Sequence, residues 1–264
     1  MSTTNPWAFY DTLIDAIPDD IPVTDYALGI HWSYVNSEAG MGVSFTTRQG
    51  ASSQKGFDLS GKTLKEVAAL SKSWCFEEAT LGVAALNAWH NNKERLSASG
   101  MQCTFEDPRR DDEGKRLGMK LDAFDVYRPK IEALENPRVV VVGHFPHVDR
   151  IAEYSQLTVL ERKCSDEWDT PDPACEYVMP EAEFAYITGV TIINKTAPRL
   201  LTLAKDARVI MVGPSVVMSP ALLDWGVESL SGSIVTDPEQ AAFACKNGIG
   251  KFFGPALQMC MVTG

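Results

Sequence analysis

No stretch of this 264-residue chain approaches the roughly 20 consecutive apolar residues of a membrane-crossing helix, so no span and no membrane partner are expected. The first residues, M-S-T-T-N-P-W, lack the basic segment and apolar core of a signal peptide, which points to the cytoplasm. Cations are in short supply: 24 Lys and Arg stand against 35 Asp and Glu, a formal charge of −11. Nucleic acid asks for a basic face and is therefore not an expected partner. Paired cysteines are missing as well. Cys75, Cys103, Cys164, Cys175, Cys245 and Cys260 are scattered without a C-x-x-C, which argues against a zinc framework and for reduced thiols that pack as small hydrophobes. Also absent are the G-x-S-x-G elbow, H-E-x-x-H and G-x-G-x-x-G. Their absence weighs against common hydrolases, metalloproteases and nicotinamide dehydrogenases.

What is present is an ordinary globular composition, 45% hydrophobic and 22% charged, with one conspicuous run, R-V-V-V-V-G-H-F-P-H at residues 138–147. Four consecutive β-branched residues read as a strand buried on both faces, the signature of a parallel sheet covered by helices. Gly143 ends that strand where a side chain would obstruct a tight turn or a close-approaching ligand, and Pro146 suits the first turn of a helix. In doubly wound folds this position holds a ligand beyond the carboxyl ends of the strands. Here His144, Phe145 and Pro146 fill the middle of the dinucleotide fingerprint, so the position is Rossmann-like and the chemistry is not that of a nicotinamide site.

The two halves of the chain are patterned differently. Residues 7–17 predict an opening helix, and residues 24–35 and 41–47 predict a β-hairpin turning through 36–40. A long helix follows from about residue 74 to 95, capped by Ser73, with Glu77 and Glu78 favoured by the helix dipole in its first turn. Residues 97–120 are charge-dense and carry Pro and Gly, which reads as an exposed loop. A connecting helix over 122–134 leads to a boundary at Asn136-Pro137. Beyond it, strands are expected at 139–142, 157–160, 184–188, 208–212 and 233–236, alternating with helical segments near 147–154, 192–204, 220–223 and 239–246. Such alternation implies a right-handed, mostly parallel α/β sheet with helices on both faces, to which residues 257–262 would add an edge strand.

The ends of the predicted strands carry the candidate site. Strand one ends in Gly143-His144-Phe145-Pro146 and strand two at Glu161, an acidic residue placed to accept from a ligand hydroxyl. Strand three ends in Thr188-Gly189-Val190-Thr191, followed by Asn194 and Thr196, strand four in Gly213-Pro214-Ser215, and strand five in Thr236-Asp237-Pro238. Turns are built from these residue types in any protein, so it is their concentration along one edge that predicts a pocket. His144 and His147 share an H-x-x-H spacing that Glu161 or Cys164 could complete as a metal site, while two histidines near a turn are more often ordinary hydrogen-bonding or surface groups. In the first half, His31 sits in a strand and Asn87 on an apolar helix. Both are out of character locally, which fits either a contribution to an interdomain cleft or partners within the local core.

Taken together, V-V-V-V-G-H-F-P at 139–146, L-E at 160–161, I-T-G-V-T-I-I-N-K-T at 187–196 and V-G-P-S at 212–215 resemble a family of heavy-metal chelation domains. Ser219-Pro220, W-G-V at 225–227 and G-S-I-V-T-D at 232–237 extend the match, and G-I-H-W at 29–32 and A-L-N-A at 85–88 carry it loosely into the first half. The resemblance implies an α+β domain similar to the enolase N-terminal fold over 1–136 and a Rossmann-like domain over 137–264. It also implies an interdomain pocket for a pterin-, flavin- or siderophore-like chelator, with a metal ion as the one cofactor it admits. A small molecule or metal chelate is then the expected partner, and a homo-oligomer is compatible with the chain. Two other readings compete: a Rossmann-like methyltransferase, consistent with one glycine and an acidic end to strand two, and a non-catalytic metal-binding protein.

Overall fold

The computed structural model describes residues 5–53, 57–109, 111–113, 117–118, 120–250 and 256–264. Its first part runs α1 (Pro6–Asp15), β1 (Val23–Ala27), β2 (Trp32–Ser37), β3 (Gly40–Phe45), α2 (Leu64–Ala68), α3 (Phe76–His90), α4 (Lys93–Ala98), β4 (Gln102–Phe105) and α5 (Ala123–Glu132). The second part continues with β5 (Arg138–Val142), β6 (Gln156–Glu161), β7 (Asp169–Pro171), α6 (Cys175–Val178), β8 (Phe184–Thr188), α7 (Val190–Ile193) and α8 (Ala197–Leu203). It closes with β9 (Arg208–Val212), β10 (Val227–Val235), α9 (Pro238–Lys246) and β11 (Leu257–Thr263). No helix of the described residues is long and apolar enough to cross a membrane.

Strands β1, β2 and β3 form a small antiparallel sheet, and the other strands form one sheet in the order β4-β11-β10-β9-β8-β5-β6-β7. From β7 to β10 every pairing is parallel. Counted along the chain, those six strands stand in the doubly wound order 3-2-1-4-5-6, with the topological switch between β5 and β8. The valine run explains why β5 is central. Val139 and Val141 pack into a cluster with Tyr127 and Ile131 of α5, while Val140 and Val142 join the core on the opposite face. Both faces are covered, as a parallel sheet requires.

The small sheet lies on α3, whose buried body, Ala79–Ala88, lets strand and helix approach very closely. A Cβ at Gly42 would sit 2.1 Å from the Ala88 nitrogen, so no other residue fits this contact. This unit then docks on the large sheet through polar as well as apolar contacts. Tyr10 donates to the Ile192 carbonyl at 2.9 Å, and Phe9 meets Trp225 edge to face. Asn91, buried just past the end of α3, does most: its amide donates to the carbonyls of Val216 (2.9 Å) and Ser233 (3.1 Å) and accepts from the Met218 N–H (2.8 Å).

Several expectations need correction. The run at 24–35 is two antiparallel strands rather than one, and the hairpin turn is confined to 38–39. The long helix starts after Cys75, not Ser73, whose hydroxyl instead accepts from the Cys75 N–H. It also breaks at Asn91–Asn92, where Asn92 caps α4 by accepting from Arg95 N. The charged stretch over 97–120 is not all loop: β4 pairs antiparallel with β11, so β11 is interior and β4 is the edge. Of the strands before residue 136, β1, β2 and β3 form the small sheet and β4 joins the large one, on which α5 also packs.

Two predictions follow from the packing. Asn91→Ala leaves three buried backbone groups without partners, each costing about 1–3 kcal/mol, so chemical denaturation should show a loss of at least about 3 kcal/mol. The second concerns His90, whose Nε2–H donates to the Leu13 carbonyl at 2.9 Å and whose burial pushes its pKa down to about 4. The unfolded chain takes up this proton near pH 6.5, whereas the folded one resists until about pH 4. Stability is therefore full above pH 6.5, falls by up to about 1.4 kcal/mol per pH unit as acid is added, and levels off below pH 4. His90→Gln should flatten that window in denaturation midpoints measured against pH.

Candidate functional site

At the switch point the carboxyl ends of β5, β6, β8 and β9 open into a cavity of about 440 Å³. Its floor is made by the strand ends: Val142, Gly143, Leu160, Glu161, Thr188 and the Gly213-Pro214-Ser215 turn. Gly143 and Gly213 have φ of +96° and +102°, in the region that favours glycine. A Cβ at Gly143 would meet the Thr188 methyl at 3.1 Å, so a side chain there would be both strained and crowded. The Phe145 ring lies between the two glycines, 3.8 Å from either ideal Cβ position, and meets Phe124 edge to face.

The far wall comes from the small sheet. Trp32 and Phe45 line the cavity as an edge-to-face pair 5.5 Å apart, and the Trp32 indole N–H donates to the Gly250 carbonyl at 3.0 Å. Phe45 is anchored by its backbone N–H, which donates to the Ser215 hydroxyl at 2.8 Å. One sheet thus supplies the floor and the other an aromatic lid.

Polar groups sit between these walls. The Thr188 carbonyl accepts from the Thr191 hydroxyl, and Asn194 Oδ1 accepts from both the N–H and the hydroxyl of Thr196. That leaves the Asn194 amide N–H groups as donors on a residue lining the cavity. Lys195, between them, takes a left-handed φ of +68° and folds back to donate to the Ile193 carbonyl at 2.7 Å, its partly buried amine pushed down to about 8. On the opposite rim, Glu161 ties two turns together: Oε2 accepts from His144 N–H at 3.1 Å and Oε1 from Arg162 N–H at 3.0 Å. Arg162 faces Asp172 at 3.5 Å. The His144 ring Nδ1 is 3.1 Å from Asp169 Oδ1. The Ser165 N–H holds the Asp169 carboxyl below the usual carboxylate range, helped by His144 and the Asp166 N–H.

Of the residues expected at the site, Gly143, His144, Phe145, Pro146, Glu161, Thr188, Asn194, Gly213, Pro214 and Ser215 line this cavity together. Four others lie elsewhere. Gly189 is pressed on the Ser215–Val216 backbone, 2.5 Å from where its Cβ would be. Asp237 caps α9 by accepting from Gln240 N–H. His31 is exposed and lies against Gly250 behind the Trp32 wall. Asn87 is buried, donating to the Val43 carbonyl (2.8 Å) and more distantly to that of Pro214 (3.4 Å), so it backs the site without lining it. Thr196, expected beside Asn194, also lines the cavity, whereas Trp32, Phe45, Arg162, Asp172 and Gly250 were not anticipated. G-I-H-W was noticed for its histidine, while the tryptophan beside it is the residue that reaches the cavity.

Family models of two domains match the chain, both described as "Putative heavy-metal chelation": DUF4213 over residues 10–90 and DUF364 over residues 125–256. A crystal structure of a DUF364-family protein from Desulfitobacterium hafniense is 30% identical, superposes with a TM-score of 0.83, and the match covers 98% of each chain. The chain belongs to the DUF364 family. A second member, from Pyrococcus horikoshii, is 20% identical over 98% of this chain and 99% of that one, with a TM-score of 0.74, and shares the fold. An uncharacterized protein of Methanocaldococcus jannaschii is 25% identical over 255 residues, 89% of this chain and 86% of its own length.

The donor chemistry bears directly on the family's description. Among the described residues there is no group of three or more His, Cys, Asp or Glu side chains able to hold a metal ion. His144 is engaged with Asp169, His147 is exposed in a left-handed turn with φ of +63°, and the exposed Cys164 thiol points to the Glu161 carbonyl at 3.8 Å. The expected set of His144, His147 and Cys164 is therefore not assembled. The described side chains do not fit a protein-held metal.

Proposed function

We propose that the cleft binds, in the cytoplasm, a small planar polar molecule able to chelate a metal, of pterin-, flavin- or siderophore-like chemistry. The metal travels on the ligand as cargo. The observation that carries this reading is the wall composition: aromatic rings from Trp32, Phe45 and Phe145 on a cavity edged by Thr188, Asn194, Thr196 and Arg162. Aromatic faces favour a flat conjugated ring through offset or edge contacts, and a few fixed polar groups orient it. A volume of about 440 Å³ matches a molecule of that size, where a bare ion would need far less room. That the described residues form no three-donor cluster supports the same division of labour, with the chelating atoms supplied by the ligand. The methyltransferase alternative loses support from Phe145, whose ring fills the space between Gly143 and Gly213 where a glycine-rich loop would leave room.

Trp32 offers the assay. Titration with the ferric complex of 2,3-dihydroxybenzoate, with 6-carboxypterin and with flavin mononucleotide should show saturable fluorescence quenching by at least one of them, and Trp32→Phe identifies the reporter. Phe45→Ala, at a partly exposed position, should leave the fold intact and weaken that ligand by about tenfold or more, some 1.4 kcal/mol. Ni²⁺ alone should give no saturable signal in calorimetry. Stoichiometric retention of Ni²⁺ alone, with none of the organic probes binding, would reverse the assignment.

A further inference from the structure

His144 is held in a way that binding alone does not require. Its backbone N–H is fixed by Glu161, and its ring meets a carboxylate whose side chain is fully buried although the imidazole itself is 40% exposed. Asp169 is fixed in turn, because Oδ2 accepts from the N–H groups of Ser165 (2.8 Å) and Asp166 (3.0 Å), leaving Oδ1 for the histidine. An ionised carboxylate can only accept, so the ring nitrogen facing it, Nδ1, carries the proton. Nε2 is then the unprotonated nitrogen, on a residue that lines the cavity. A buried acid orienting an imidazole whose other nitrogen is free is the arrangement of a general base. No donor cluster among the described residues claims that nitrogen for a metal.

We propose that His144 is the proton acceptor of the cleft, taking a proton from a hydroxyl or N–H group of the bound ligand, with Asp169 as its positioning residue. The inference rests on the reading of the cleft as a small-molecule site. In the step, the ligand's O–H or N–H bond breaks and its electron pair stays on the ligand. The proton forms the new Nε2–H bond, and the resulting imidazolium is paired with the Asp169 carboxylate. No further reactant is consumed. For a chelator the consequence is specific, because its donor atoms must be deprotonated to bind a metal. Proton uptake by His144 would favour the metal-loaded form of the ligand, and its return would favour release. Arg162 on the same rim is placed to stabilise the anion so formed, whereas Glu161 and Asp172 oppose excess negative charge.

The test needs no ligand to begin. In full-length protein labelled with ¹⁵N-histidine, long-range ¹H–¹⁵N spectra report the tautomer of each of the four histidines, and His144→Gln assigns the signal. Neutral His144 should be the Nδ1–H tautomer. Asp169→Asn should shift it toward Nε2–H and slow carbethoxylation of His144 by diethyl pyrocarbonate several-fold, with His31 as the internal reference. A wild-type His144 in the Nε2–H form would overturn the proposal without any variant, as would an Asp169→Asn protein with unchanged tautomer and rate. Saturation with whichever organic probe binds should protect His144 and not His147. A probe that binds yet leaves His144 reacting at its free rate would overturn the proton role while leaving the binding reading intact.

Discussion

The relative placement of the two sheets depends on a polar seam. Asn91 reaches from the end of α3 to three backbone groups around β10 and the turn after β9, and Ser215 from that turn accepts the N–H of Phe45 at the end of β3. Apolar contacts alone are non-directional and would hold the halves together without fixing their register. Hydrogen bonds to buried backbone groups are directional and costly to leave unmade, so they select one docking geometry. That geometry is what brings Trp32 and Phe45 over the strand ends. Both wall residues belong to strands of the small sheet, so a shift at Asn91 would reach the cavity wall through Phe45 and Ser215.

The second constraint is Phe145. In a nucleotide-binding doubly wound sheet the first strand-to-helix turn is kept empty by glycines, and phosphate sits against it. Here the glycines are still present at Gly143 and Gly213, with positive φ at both, but the ring of Phe145 lies between them. The ligand space is consequently displaced outward, from the backbone amides toward the rings of the small sheet. The same topology therefore presents an aromatic box where a pyrophosphate cradle would otherwise stand.

Strands β5, β8 and β9 were legible in the sequence because both of their faces are buried, so their buried runs are continuously apolar and end at conspicuous turn residues, while β6, exposed at its start and buried only at Val159 and Leu160, showed itself through Leu157, Val159 and Leu160. Strand β10 was seen only at its end: Ser229, Ser231, Gly232 and Ser233 are buried, yet small polar residues give no strand signal. Strand β4 was hidden in charged surroundings, and β7, three residues at a sheet edge, has no periodicity to read. The floor of the cavity was legible for the same reason as its strands. The wall was not, since Trp32 and Phe45 look like ordinary strand residues until docking turns them toward Ser215 and Gly250.

Glu161 shows how a correct position can carry a different role. An acidic residue at the end of the second strand suggests recognition of a ligand hydroxyl, and the residue does line the cavity. Yet each of its oxygens already accepts a backbone N–H, one from His144 and one from Arg162. Its charge thus fixes the two residues that flank the opening, a base on one side and a cation on the other. The carboxylate in contact with the imidazole is Asp169, which no strand-end rule would pick out, because it begins β7 rather than ending a strand. Acidity at the end of β6 shapes the rim, and acidity at the start of β7 orients the ring. Two carboxylates therefore divide the labour of holding His144, one gripping its backbone and the other its side chain.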